Sequence, residues 1–329
     1  MEKIPIKGDS ENQVFDALKK ACSGVEFSSF EVGVSSDSLE TKYEIRKKSI
    51  DFIKSTFKTK HDPENFEIYI LIHFDRGFIE ATPTNVLVEG AYNKVSREIA
   101  QTFHYCFKCR GRGCKKCNKT GKLSEESVQE LIEKIVLPEF KSSESKFHGC
   151  GREDKDVLML GKGRPFVIEL VEPKKRSVNL KKLEDTINSK NKNKISVNGV
   201  KFVEKQRIVE IKNTPFEKIY LAKCSCSEIS KKETESLINK EIKIIQRTPV
   251  RVEKRRVDKE REKTAKIIKA EILNKKEFLL EILSSHGLYI KEFISGDEKR
   301  TEPSISSMLG KECICKELAV LEIVLPKKN

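Results

Sequence analysis

FHGCGREDKDVLMLGKGRPF, residues 147–166, sets four glycines, three acids and four basic residues around His148 and then runs into apolar sequence. Glycines and charges interleaved this tightly read as a shaped loop rather than a helix face. The spacing of Asp154 and Asp156 admits three uses: a Mg2+ site, an acid/base or nucleophilic carboxylate, or a solvated loop. Arg152, Lys155, Lys162 and Arg164 would compete with a cation for the acids, so a nucleophilic or orienting carboxylate held by an arginine fits them better than magnesium. The apolar PFVIEL that follows predicts a strand, which would hold the loop rigidly at a sheet edge.

Working outward, NQVFDALKKACSGV predicts an amphipathic helix facing inward through Val14, Leu18 and Cys22. FEIYILIHFD (66–75) and GFIEATPTNVLVEG predict two strands turned back at Arg76 and Gly77, giving a small α/β module that ends near residue 100. SEESVQELIEKIV reads as a helix with Ser124 as N-cap. Beyond the loop come a strand in RPFVIELVEP, a helix near SVNLKKLEDTINS, and strands in QRIVEIKN, KIYLAKCSC, EIKIIQRTPVRV and TAKIIKAEIL. KEFLLEILSSHGLYIKEFISGD and ELAVLEIVLP supply more strand and helix, and EISKKETESLINKEIK (228–243) predicts a solvated helix. Strands and helices mixed at this density imply an α/β (α+β) body of catalytic size. The expected division is 1–100 accessory module, 101–123 cysteine segment and 124–329 catalytic domain.

The 329 residues carry 65 Lys and Arg against 51 Asp and Glu, a net +14. That surplus favours polyanionic partners without choosing among RNA, DNA and acidic lipid; a lysine-rich set of solvated helix faces is the plainer reading. No run approaches the roughly 20 apolar residues of a membrane span, and MEKIPIKGDS lacks the apolar core of a signal peptide, so a cytoplasmic chain without a membrane partner is expected.

Cys106, Cys109, Cys114 and Cys117 follow C-x2-C-x4-C-x2-C. Each C-x2-C knuckle aims two thiolates at one ion, and Gly111 and Gly113 let the chain return, which predicts tetrahedral zinc. Four cysteine ligands leave no position for an activated water, so the ion is structural. An iron–sulfur site is the weaker alternative, and CFKCRGRG also resembles half of a DnaJ-type zinc repeat. Cys224, Cys226, Cys313 and Cys315 alternate with apolar residues and read as strand or core positions.

The stretch 147–170, with QTFHYCFKCRGRGCKKCNKTGK, IQRTPVRVEKRRVD and GLYIKEFISGDEKRTEPSISSMLG, resembles the Pus10 family of tRNA pseudouridine synthases, the archaeal members above all, over about residues 88–325. The resemblance implies a pseudouridine synthase mixed-sheet catalytic domain with a small THUMP-like accessory domain, expected to bind tRNA, and a zinc-binding segment. The family's G-R-x-D motif falls on Gly151, Arg152, Glu153 and Asp154, which implies that Asp154 is catalytic and Asp156 supports the loop. It further implies Tyr220 as the ring that stacks on the base and assists proton transfer, and Lys291 as the basic partner of the catalytic carboxylate. Arg152, Arg247, Arg251, Arg255 and Arg256 fall on the substrate-facing basic set. The implied reaction cleaves the uracil N1 glycosidic bond, turns the bound base and rejoins it through C5, in the TΨC arm of tRNA at position 54 and, beside it, 55. It needs no catalytic cofactor. Attack by the aspartate and proton abstraction from the sugar both remain open, and a monomer acting on tRNA is expected. Cys150 stands where the family more often has Ala or Ser, and the N-terminal region is shorter than the family's, without an early C-x2-C. The rival reading is a non-catalytic zinc protein that binds RNA through a synthase-like body.

Overall fold

A computed structural model of the chain describes residues 3–7, 10–122 and 124–324. The N-terminal body is built in the order β1 (Ile4–Pro5), α1 (Glu11–Cys22), β2 (Ser29–Ser35), α2 (Leu39–Phe57), β3 (Lys60–His61), β4 (Ile68–His73) and β5 (Phe78–Pro83). Its five strands lie in the order β1-β5-β4-β2-β3. Alternation buries Ile68, Ile70 and Ile72 of β4 against Val14, Ala17, Leu18 and Cys22 of α1, as the period-2 and helical patterns require.

The larger body runs β6 (Val86–Lys94), α3 (Val128–Phe140), β7 (Glu144–Gly149), β8 (Leu158–Val171), α4 (Leu180–Lys190), β9 (Ile195–Phe202), α5 (Gln206–Asn213) and β10 (Glu217–Ser225). It continues with α6 (Lys231–Leu237), β11 (Glu241–Arg247), β12 (Glu260–Asn274), β13 (Glu277–Ser284), α7 (Ile290–Ser295), β14 (Thr301–Glu302), α8 (Ile305–Leu309) and β15 (Ile314–Val324). A ten-stranded sheet of order β14-β11-β12-β13-β10-β15-β8-β6-β9, with β7 beside β8, organises it. Every pairing in it is antiparallel except one: β15 meets β8 in parallel over Ala319–Leu158 and Val320–Met159. That short contact joins two antiparallel halves, and the loop 150–157 enters β8 at the join.

Several expectations need correction. The glycine-rich stretch is a loop only over 150–157, because residues 144–149 and 158–171 pair as strands. Gly161, at φ +61, accommodates the tight approach there: a Cβ on it would collide with the carbonyl oxygen of Leu321. GFIEATPTNVLVEG is two strands in different sheets, since β5 pairs with β4 whereas β6 pairs with β8 and β9. Proline cannot donate to a ladder, and β5 ends at Pro83. The division between sheets therefore falls between residues 83 and 86, ahead of the expected boundary near 100. Helix α3 starts at Val128, capped by Ser127, whose hydroxyl accepts from the Glu130 amide at 3.2 Å; Ser124 lies in a bend before it. QRIVEIKN is helix α5, not a strand: Ile208 and Ile211, three apart, face the core, and Arg207 pairs with Glu210 at 2.7 Å along the helix. The strand in EIKIIQRTPVRV stops at Arg247, and Pro249 leads into a 3-10 turn over Val250–Arg255. Within 228–243 only Lys231–Leu237 is helical, and β11 already begins at Glu241.

A candidate active-site cleft and a four-cysteine centre

Gly151 takes φ +72, a left-handed turn open to glycine, and a Cβ there would sit 3.2 Å from Lys218 Nζ and 3.3 Å from Arg164 Nη1. The loop that follows is tied down carbonyl by carbonyl. Arg164 donates to Cys150 O at 2.7 Å and Gln101 to Gly151 O at 2.9 Å. Lys94 donates to Lys155 O at 2.6 Å, and Arg97 to Asp156 O at 2.6 Å. Beneath the loop, Glu153 forms an ion pair with Arg164 at 2.8 Å, both side chains only 1% exposed. Tyr92 donates to the same carboxylate at 2.8 Å and accepts from Gln101 at 2.8 Å. Burial opposes the Arg164 charge, but Glu153 beside it more than offsets this and raises its pKa. Removing one member of such a buried pair costs about 3–5 kcal/mol, so Glu153 is the loop's anchor.

The three acids of GREDKDV thus meet three different environments. Glu153 points into the core, while Asp154 points outward, its side chain 44% exposed, into a cleft of about 520 Å³. Arg251 Nη1 lies 2.9 Å from the Asp154 carboxylate. Asp156 takes Lys291 at 2.7 and 3.0 Å. Burial opposes the Asp156 charge, but the Lys291 hydrogen bonds outweigh it and lower the carboxyl's pKa. Lys291 is also 3.9 Å from Asp154, so it bridges the two acids, and Arg251 is the nearer cation to Asp154.

Tyr220 rises from β10, between Ile282 of β13 and Val320 of β15, and lines the same cleft. Burial pushes its phenol up to about 12, with Glu153 and Asp154 adding to the rise against the lowering effect of Arg164, so the ring is neutral. Arg152 lies at the rim, bonded to His104 and, at 3.4 Å, to Thr102. Arg251 also pairs with Glu292 at 2.5 Å and lies over the Tyr289 ring, and Arg256 lines the cleft. Arg247 is elsewhere: its guanidinium is committed to Asp258 at 2.5 Å and lines a neighbouring hollow. The side chain of Arg255 lies outside the described residues.

Sequence reasoning missed Tyr92, Lys94 and Gln101 and set Arg164 beside the acids without pairing it to Glu153, since these roles come from contacts 9 to 61 residues apart in the chain. It also missed Lys218, which lines the cleft, is 6% exposed and has no hydrogen-bond or ion-pair partner among the described residues. Burial, reinforced by Arg164, lowers its pKa to about 8. A signal did exist, because alternation in EKIYLAK puts Lys218 and Tyr220 on one face of a strand.

The sulfurs of Cys106, Cys109, Cys114 and Cys117 lie within 4.8 Å of one another, so the four can hold one metal ion. The backbone amides of Cys114 and Gly121 donate to Cys117 Sγ at 3.2 and 3.3 Å. Burial opposes the thiolate, but these donors and the neighbouring thiols hold Cys117 down to about 6. Cys224 and Cys313 are buried in the core, with Cys224 opposite Cys315 across β10 and β15, as the alternation predicts.

Among the described residues no helix is long and apolar enough to cross a membrane. Residues 87–324 match the family model described as Pus10, C-terminal. The chain is 39% identical over 306 residues to the tRNA pseudouridine synthase Pus10 of Methanosphaera stadtmanae, covering 88% of this chain and 74% of that one. The protein of the same name from Methanocaldococcus jannaschii is 43% identical over 259 residues, covering 78% of this chain but 56% of its own. That of Archaeoglobus fulgidus is 35% identical over 333 residues, covering 96% and 92%. Among solved structures, a chain of a Cbf5-Nop10-Gar1 complex is similar at 14% identity and TM-score 0.33 over 70% of this chain and 57% of that one. A family match over most of the larger body, with more than a third of residues identical along nearly the whole Archaeoglobus relative, makes this chain a member of the Pus10 family.

Proposed function

We propose that this chain isomerises uridine to pseudouridine in tRNA, in the TΨC arm, with position 54 and its neighbour 55 as targets. The observation that carries the reading is Asp154: a half-exposed carboxylate on a tied-down loop, facing a cationic cleft that also holds Tyr220. A uridine turned out of its stack would meet the Tyr220 ring, with Arg152 and Arg256 near its backbone. In the reaction the N1–C1′ bond breaks, the base rotates in place, the C5–C1′ bond forms, and the proton lost from C5 is balanced by one gained at N1. Asp154 supplies the anion, whether as nucleophile or as base. Arg251 and Lys291 orient its carboxylate, and the neutral Tyr220 hydroxyl is available to pass a proton. Arg247, paired with Asp258, serves this reading by bracing the turn that carries Arg251 and Arg256.

The test is incubation with unmodified tRNA transcript and position-resolved pseudouridine mapping. Asp154→Asn keeps the side chain's volume and should leave tRNA binding intact while pseudouridine disappears. Asp156→Asn should cost less, and Tyr220→Phe should bind but turn over more slowly. Full turnover by Asp154→Asn, or complete loss from Asp156→Asn alone in a folded protein, would sink the assignment of Asp154.

We further infer that the four-cysteine centre holds zinc. A tetrahedral ion with Zn–S bonds of about 2.3 Å sets its sulfurs about 3.8 Å apart, and three of the pairs lie at 3.9, 3.8 and 3.7 Å. Four thiolates complete the shell, so the ion's part is to fold residues 106–117. Elemental analysis of protein purified without added metal should find one zinc per chain, and chelation should lower the thermal midpoint. An active preparation with well under one metal per chain and no shift on chelation would count against it.

A further inference from the structure

The segment that carries the metal ligands also carries two rings that stay mostly exposed. Tyr105 is 65% exposed and Phe107 67% exposed, on either side of the buried ligand Cys106. Each is braced from beneath. Tyr105 meets Phe103 edge-on at 4.8 Å, and Gly111 lies so close that a Cβ there would be 2.7 Å from the Tyr105 ring. Lys116 sits over one side of Phe107, 4.1 Å from its centroid. Around them, residues 103–122 include seven Lys and Arg and no Asp or Glu. Four thiolates around a divalent ion subtract two charges, which leaves the segment at about +5. An exposed apolar ring in an acid-free basic field fits a polyanion with flat apolar faces, and single-stranded nucleic acid has that chemistry.

The segment is also fastened to the cleft. Gln101 donates to Gly151 O at 2.9 Å, and Arg152, at the cleft rim, contacts Thr102 and His104. Tyr105 follows His104 directly, and Phe107 is within about 11 Å of it along an extended chain. An RNA that delivers a uridine to Asp154 therefore passes beside the two rings.

We propose that Tyr105 and Phe107 form a stacking platform for unpaired nucleobases of the RNA substrate outside the target uridine, with Lys108, Lys115 and Lys116 holding the intervening phosphates. The inference rests on the reading of the chain as an enzyme of tRNA, but its test is a binding test and does not need turnover. Affinity for unmodified tRNA transcript is measured as a function of salt in full-length protein carrying Asp154→Asn, with and without Tyr105→Leu and Phe107→Leu. Leucine keeps an apolar side chain and removes the ring face. Base–aromatic stacking contributes about 1–3 kcal/mol per base, so each ring lost should weaken binding at least about fivefold, and the double variant about thirtyfold or more. Its salt slope should be unchanged, because neither ring neutralises a phosphate, whereas Lys115→Gln with Lys116→Gln should flatten the slope. Cross-linking of tRNA containing 4-thiouridine to the parent protein should label the peptide with Tyr105 and Phe107. Undiminished affinity of the double variant would overturn the proposal. So would a fall in metal content or thermal midpoint alongside the weaker binding, since the rings would then be packing residues, and so would cross-links that miss the segment. If the wild-type protein makes no pseudouridine in tRNA while the double variant still loses affinity, the enzymatic reading fails and the platform stands.

Discussion

Lys94 and Lys218, both in the ten-stranded sheet, meet burial in opposite ways. Lys94 is fully buried and donates to Ile99 O at 3.0 Å and Lys155 O at 2.6 Å. Lys218 is nearly as buried, faces the cleft and has no such partner among the described residues. Burial is the chief cause that lowers each from 10.5 to about 8, a penalty of roughly 3 kcal/mol for holding the charge. Below pH 8 both folded and unfolded chains carry the charges and the penalty is complete. Between about 8 and 10.5 the folded chain has shed protons that the unfolded chain retains, so stability rises with pH until both are neutral. Chemical denaturation across that range should show the rise. Lys218→Met should be more stable than the parent at pH 7, with a shallower rise. Lys94→Met should be less stable, because unsatisfied buried carbonyls cost about 1–3 kcal/mol each. A Lys218→Met protein less stable at pH 7 would mean that the ammonium has a partner in the fold. The same contrast shows how far the site was legible in the sequence. GREDKDV displays its acids but does not say which is buried, because Glu153 owes its place to Arg164 of β8 and Tyr92 of β6.

At the scale of elements, the turn between β11 and β12 is held at its base by a small charge network. Arg247 grips Asp258 at 2.5 Å, Arg300 adds a contact to Asp258 at 2.9 Å, and Thr248 donates to Val257 O at 2.7 Å. The Arg247–Asp258 pair is about half exposed and screened by solvent, so losing it should change global stability little. What it fixes is local: the 3-10 turn that presents Arg251 to Asp154. Asp258→Asn should therefore leave the thermal midpoint nearly unchanged, raise KM for tRNA several-fold and speed proteolysis within residues 249–259. A large drop in midpoint with no change in KM would assign the network to the fold instead. Elements like β4 could be read in advance because EIYILIH buries every second residue and nothing distant overrides it. QRIVEIKN could not, since its β-branched residues suit a strand and only packing against β7 and β8 selects the helix. The seam between β15 and β8, which sets the cleft, pairs residues more than 150 apart and leaves no local trace.

Across the whole molecule, charge is divided unequally between the two bodies. Residues 1–85 hold 12 Lys and Arg against 15 Asp and Glu, a net −3, so residues 86–329 carry +17 where the whole chain carries +14. The bodies meet at Arg176, which donates to Glu67 O at 2.8 Å and Thr84 Oγ1 at 2.8 Å, and whose own amide donates to Glu26 at 2.7 Å. The N-terminal body is thereby joined to the larger one and carries a net negative charge. An RNA-binding role for residues 1–100 draws part of its support from the overall surplus. A net total cannot show where charge resides: α2 still presents Lys47 and Lys54 to solvent. Counterion release gives a direct measure, since each single-strand phosphate contact adds about 0.7 to the slope of log affinity against log salt. Lys47→Gln with Lys54→Gln, on the exposed face of α2, should leave that slope unchanged. Arg256→Gln with Lys263→Gln, in the cleft, should reduce it by about 0.7 for each phosphate no longer neutralised. Should the α2 pair flatten the slope as much as the cleft pair, RNA would lie across the acidic body as well, and the electrostatic footprint would not be confined to residues 86–329.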